Sequence, residues 1–281
     1  MNVLTDPLVQ RMVLVGLIVG LAAPIVGTYL VQRRMALLGD GIGHVALAGV
    51  AAGWLAGSIA GAAQRDAWAL PGAVIFAIAG AVIIERMRAS GTASADVVMA
   101  ILFYGGIATG VLLIGAAGGT NANLMGYLFG SISTASWQDV WMSVVLGGFI
   151  VAIGLGLRRA LFAVTHDPEF AQASGLPTKA LNMLVAVLAA ITITVAMRVV
   201  GVLLVSALMI VPVAVAQLLT HSFNRTMLIA MGLGAVLTLT GVGITLFVDL
   251  QPGALIVVLG IVVYVVVATV ATLRRRARIA L

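Results

Sequence analysis

The sequence predicts an all-α polytopic membrane protein of about nine transmembrane helices (eight to ten). Three observations carry that reading. Of the 281 residues, 62% are hydrophobic and only 9% are charged, whereas a soluble domain carries about 25% charged residues. Mean hydropathy is +1.21. The few arginines gather at the ends of apolar runs, and most runs are long enough to cross the ~30 Å hydrocarbon core. One transmembrane domain over 1–281 is expected.

In chain order the runs fall at roughly 12–31, 35–63, 67–84, 97–117, 140–157, 180–197, 199–220, 226–248 and 253–273, bounded by charges or turn residues. The first is too long for the apolar region of a cleavable signal peptide. The second opens on Arg33-Arg34 and carries Gly39, Gly43, Gly49, Gly53, Gly57 and Gly61, a small-residue stripe suited to close helix packing. Between the fourth and fifth, Asn121, Asn123, Gly126 and Gly130 interrupt residues 118–138, which suits an interfacial or re-entrant piece. The sixth and seventh meet at Arg198 as one broken helix or two short ones. Trp68, Trp137 and Trp141 lie near run ends, where interfacial tryptophans belong. Trp54 is read as interior packing.

Orientation follows from the basic residues. If Arg33 and Arg34 face the cytoplasm, strict alternation places Arg86, Arg88, Arg158, Arg159, Lys179, Arg225, Arg274, Arg275, Arg276 and Arg278 with them. Twelve of the 15 basic residues are then inside, and Arg11, Arg65 and Arg198 are outside, as the positive-inside rule prefers. The amino terminus is expected outside and the carboxyl terminus inside.

Several function classes drop out. There are no cysteines, so thiolate ligands and cysteine catalysis are excluded. The net charge of +6 is not gathered into a patch for nucleic acid. The single lysine, Lys179, follows Pro177-Thr178, so there is no phosphate-binding GxxxxGK[ST] loop, and no HExxH pair marks a metalloprotease. Any nucleotide that drives this protein is hydrolysed by another chain.

The chemistry concentrates in the second run, where Asp40 and His44 stand four residues apart. An ionisable group inside a span costs several kcal/mol and is a functional-site hypothesis by default. At this spacing the two share a helix face, with Cβ atoms about 6 Å apart. One reading is a mutually satisfied pair that fixes the helix against a neighbour. The other is half of a shell for a divalent transition metal, since carboxylate and neutral imidazole suit zinc, manganese and iron alike. One copy supplies two ligands, and a two-fold dimer would supply four. Asp96, at the start of the fourth run, reads as a helix-dipole carboxylate and a gate candidate. Asp249 reads as turn chemistry, and His166 and His221 as solvated or capping residues. In the stretch 158–179, Asp167-Pro168-Glu169 and Gly175 carry start and stop signals for a helix of about two turns, either a docking lug or a capped surface connector.

At these residues the sequence resembles the membrane permease subunits of bacterial zinc, manganese and iron ABC importers. The resemblance runs through Arg33-Arg34-Met35, Gly39-Asp40, His44 and Gly49, through Asp167-Pro168-Glu169-Phe170-Ala171, and through the block from Val200 to Pro212. Tyr127-Leu128-Phe129-Gly130 also looks like a family segment. Gly41 and Gly43 depart from it, standing where larger or hydroxylated residues are expected.

The resemblance implies a permease homodimer with a fold similar to the cobalamin and iron-siderophore importers. It implies two ATPase subunits inside, which use the ATP, and a metal-binding protein outside. Asp40 and His44 match the intramembrane metal pair. Asp167, Pro168, Glu169, Phe170 and Gly175 match the ATPase-contacting loop. The expected function is ATP-driven import of zinc or manganese, or else iron, across the bacterial cytoplasmic membrane by alternating access, with no permanently bound cofactor. The competing expectation is a proton-coupled secondary carrier using Asp40 and His44.

Overall fold

The computed structural model describes residues 6–61, 66–91, 94–118, 126–130, 135–248 and 250–279. Its helices are α1 Pro7–Gln32, α2 Leu38–Ile59, α3 Asp66–Ser90, α4 Ala95–Ala116, α5 Trp137–Gly156, α6 Arg158–His166, α7 Pro168–Ala173, α8 Thr178–Val200, α9 Val202–Leu219, α10 Phe223–Thr245 and α11 Pro252–Ile279. Among the described residues, nine helices are long and apolar enough to cross a membrane. Arg65, Asn121, Asn123 and Asp249 lie outside the described residues.

Several helices start ahead of their apolar runs because polar caps set the boundary. Asp6 Oδ1 accepts from Leu8 N at 2.8 Å, with Pro7 in the first turn of α1. Ser136 and Asp139 form a reciprocal capping box that opens α5 at Trp137, satisfying donors that a helix start leaves orphaned.

The helices alternate in direction, and contacts sort their ends into two faces. At one end Arg33 meets Glu85 of α3 at 3.6 Å. There also Tyr29 donates its hydroxyl hydrogen to the Gly154 carbonyl of α5, and Phe162 of α6 packs edge-on to Phe223 of α10. At the other end Arg11 Nη1 donates to the Ala135 carbonyl at 3.1 Å, and the turn at 126–129 lies against Val200, Gly201 and Gly253. The connections holding Arg33, Arg34, Arg158, Arg159 and Arg225 therefore share one end.

The ambiguity at Arg198 resolves into two separate spans. Gly201 has φ +83 and ψ 154, a region that essentially only glycine enters, so the chain breaks there and restarts as α9. Arg198 sits in the last turn of α8 and pairs with Asp139 at 3.6 Å. Of the interrupted stretch before α5, residues 126–129 form a single helical turn wedged against this break.

Between α5 and α8 the structure holds two helices, not the single short one expected. Arg158-Arg159 read as the end of an apolar run, yet they start α6, which buries Leu161, Val164 and Thr165. Trp54 is buried, while Trp68, Trp137 and Trp141 are exposed.

The glycine stripe of α2 divides. A Cβ at Gly49 or Gly53 would overlap backbone of α3, and one at Gly43 would meet Val202 Cγ1 at 2.5 Å, but Gly39 and Gly61 are not crowded. Only part of the stripe therefore serves backbone contact, which van der Waals packing rewards where lipid replaces water.

Candidate functional site

Position along the membrane is set first by the turn between α1 and α2. Arg34 adopts φ +57, its N–H donates to Val31 O at 3.0 Å, and Met35 N donates to Leu30 O at 2.9 Å. Such a conformation costs a non-glycine residue about 1–2 kcal/mol, so something must hold it. Arg33 is held by buried Glu85, and Arg88 reaches both Glu85 at 4.0 Å and Met35 Sδ at 3.1 Å. Burial pulls the Arg33 guanidinium below its ordinary pKa, and Glu85 opposes that. Met35 and Leu38 bury their side chains and start α2 at a fixed depth.

Next, α2 and α4 run side by side in the same direction. A Cβ at Gly106 would strike the His44–Val45 backbone, Gly110 lies over Ala48, and Gly41 faces the Met99 carbonyl at 3.7 Å. This register brings Asp40 into a cavity of about 260 Å³ with Leu37, Asp96, Met99, Ala100, Phe103 and Tyr104.

Asp40 lies in the first turn of α2, where no side chain caps the helix. Its side chain is 26% exposed, and His44's is 7% exposed. His44 Nε2 stands 3.9 Å from Asp40 Oδ1, beyond hydrogen-bond reach. The two groups therefore converge without satisfying one another, and His44 Nδ1 is buried with no partner. Phe103 meets the imidazole edge-on at 4.4 Å, walling it from the cavity that Asp40 lines. Among the described residues no group of three or more His, Asp or Glu is close enough to hold one metal ion. One copy thus offers a carboxylate and an imidazole and an incomplete shell.

The other sequence-predicted residues lie elsewhere. Asp167 caps α7, its Oδ1 accepting from Phe170 N at 2.9 Å, with Pro168 in the first turn. Glu169 and Phe170 are exposed, and Gly175, at φ +80, ends the segment. These five form a spur at the end of the bundle that carries the arginines. His166 stacks on Phe162. His221 is exposed between α9 and α10.

With this geometry in place, a family model described as the ABC 3 transport family matches residues 5–271. The chain belongs to the ABC 3 transport family. Among its relatives, "Manganese transport system membrane protein MntC" of Halalkalibacterium halodurans is 31% identical over 88% of this chain and 82% of its own length. "Manganese import system permease protein ScaB" of Streptococcus parasanguinis is 29% identical over 97% of this chain and 94% of its own. The solved "PsaBC from Streptococcus pneumoniae in complex with Fab" superposes with a TM-score of 0.81 at 26% identity, covering 95% of this chain and 92% of that one. The protein is the membrane permease of a metal-importing ABC system, and its fold is that of such permeases.

Two parts of the site escaped the sequence reading. Glu85, between Ile84 and Arg86, carries a signal of its own, since a carboxylate at the end of an apolar run beside arginines invites pairing. Phe103 and Tyr104 carry none, because only the register of α4 on α2 brings them to Asp40.

Proposed function

We propose that Asp40 and His44 are the metal station of this permease and that two copies assemble so that both pairs face one pathway. The observation that carries it is the unsatisfied geometry: a buried imidazole with a free nitrogen beside a carboxylate that lines a cavity. A ligand shell for a transition metal wants at least four donors, and two copies supply them. The manganese named for the relatives makes manganese the first candidate cargo, with zinc next and iron accommodated by the same donors.

The arginine-bearing end is the cytoplasmic end, which the shared placement of the basic connections supports. The spur of Asp167, Pro168, Glu169, Phe170 and Gly175 projects there, with the exposed Phe170 as the anchor for each of two ATPase subunits. A metal-binding protein delivers the ion at the opposite end, where Gly201 and the turn at 126–129 meet. ATP binding by the partner subunits closes them, the spur passes the motion to α6 and α8, and the pathway opens to one side at a time.

The test is manganese uptake by proteoliposomes holding the permease with its ATPase. Asp40→Asn and His44→Ala are each expected to lower uptake about tenfold or more while the ATPase still co-purifies. Undiminished uptake in both variants would sink the assignment. Uptake that ignores ATP but collapses with the proton gradient would favour a secondary carrier instead.

A further inference from the structure

The side of the bundle formed by α5 and α8 carries a cleft that the metal site does not use. The two helices run antiparallel and meet at one end, where Asp139 faces Arg198 at 3.6 Å. Beyond that contact α5 is drawn onto α1, because Gly147 and Gly154 admit Ile18 and Ile25 of that helix against the α5 backbone. The gap left beside α8 is a cleft of about 500 Å³, walled by Trp141, Leu146 and Phe149 of α5 and by Ile191 and Val195 of α8. Gln138, at the mouth, is the one polar side chain in the lining among the described residues.

Length and chemistry together indicate what fills it. From Gln138 to Phe149 the cleft follows eleven residues of α5, about 16 Å at the helical rise. That is close to half of the ~30 Å hydrocarbon core, the depth of one leaflet. Arg198 stands at the mouth, one turn beyond Val195 in the last turn of α8. Its side chain is 46% exposed, and Asp139 is too distant to hydrogen-bond it. Asp139 Oδ2 is already taken by the N–H and hydroxyl of Ser136. Among the described residues the Arg198 guanidinium therefore makes no hydrogen bond, and its donors are open to the surface. The α4 wall of the Asp40 cavity packs on α2 and α3 and takes no part in this cleft, so copies meeting across that wall leave it open to the bilayer.

We propose that the cleft binds one glycerophospholipid, with an acyl chain between α5 and α8 and its phosphate on Arg198. A guanidinium offers a planar fork of donors that matches a phosphate. Trp141, 66% exposed, lies beside the mouth, at the interfacial level where indoles meet headgroups. Below it the walls are apolar to the depth a chain reaches. An amphiphile matches mouth and walls at once, whereas a free phosphate would use the mouth alone. Because α5 leads into α6 and α8 follows α7, the lipid props apart the two spans that flank the spur.

The test uses the intact complex with its ATPase, stripped of lipid in detergent, and native mass spectrometry to count bound molecules. The probes are a phosphatidylglycerol, a diacylglycerol with the same chains, and glycerol phosphate. Phosphatidylglycerol is expected to saturate at one molecule per permease copy, with each of the other probes about tenfold weaker or worse. Arg198→Gln is expected to weaken phosphatidylglycerol about tenfold. Val195→Phe fills the cleft and leaves the Arg198–Asp139 pair in place, so it is expected to abolish the saturable site, and it carries the test if Arg198→Gln does not fold. Binding that never saturates and ignores both substitutions is an annular coat and overturns the proposal. Glycerol phosphate binding as tightly as the lipid also overturns it, because the cleft would then play no part. If Val195→Phe keeps the lipid but separates the copies, a second copy covers the cleft, and the proposal again fails.

Discussion

His44 is the residue whose surroundings packing alone explains least. Its ring is buried, one nitrogen faces a carboxylate too distant to bond, and the other has no partner. A buried polar group left unsatisfied costs about 1–3 kcal/mol, a penalty that a cargo ion at the proposed station would relieve. Asp40 and His44 are legible in the sequence because two ionisable residues interrupt an apolar run at helical spacing. Glu85 is the opposite type of residue, a buried charge with a structural task. It holds Arg33, and through it the strained Arg34, at the depth from which α2 starts. Glu85→Gln leaves two cations facing a neutral amide and is expected to destabilise the permease by about 3 kcal/mol. Thermal denaturation of the purified complex would read that loss. An unchanged midpoint would mean that the turn holds itself.

Among the elements, α2 is placed by backbone contact. Gly49 and Gly53 let it lie against α3, Gly106 lets α4 lie against it, and Gly43 admits the start of α9 at Val202. The stripe of glycines is legible as packing, but which of them touch is not, since that depends on helix rotation. Gly43 has a visible reason to be small, because a Cβ there would meet Val202 Cγ1 at 2.5 Å. The α8–α9 break follows a similar logic. Gly201 combines φ +83 with backbone of the 126–130 turn pressed against it, whereas Gly175, at φ +80, has open space around it. Gly201→Ala therefore incurs both strain and overlap, and Gly175→Ala strain alone. Strain of this kind costs about 1–3 kcal/mol, so the Gly201 variant is expected to melt several degrees below the Gly175 variant. Equal melting points would show that the turn moves aside freely. The extra helix α6 was hidden from the sequence because arginines opening a surface helix look the same as arginines closing a span.

At the scale of the molecule, nine spans and their alternation are legible because hydropathy and the placement of arginines report the same boundaries. The association of copies is not written in any run of residues. What one copy lacks points to it: a ligand set that stops at two donors, in a cavity whose α4 wall exposes Tyr104. Two copies meeting across that wall would close the cavity and bring a second Asp40 and His44 to the same ion. The chain has only three histidines, and His166 and His221 lie at the surface, so a nitrogen ligand on the cargo has one credible source. The most direct measurement is pulsed electron paramagnetic resonance of Mn²⁺ bound to the intact complex. Nitrogen coupling to the metal, from the imidazoles of both copies and absent in His44→Ala, is the predicted result. Mn²⁺ bound with undiminished affinity and no nitrogen coupling, in wild type and variant alike, would contradict it.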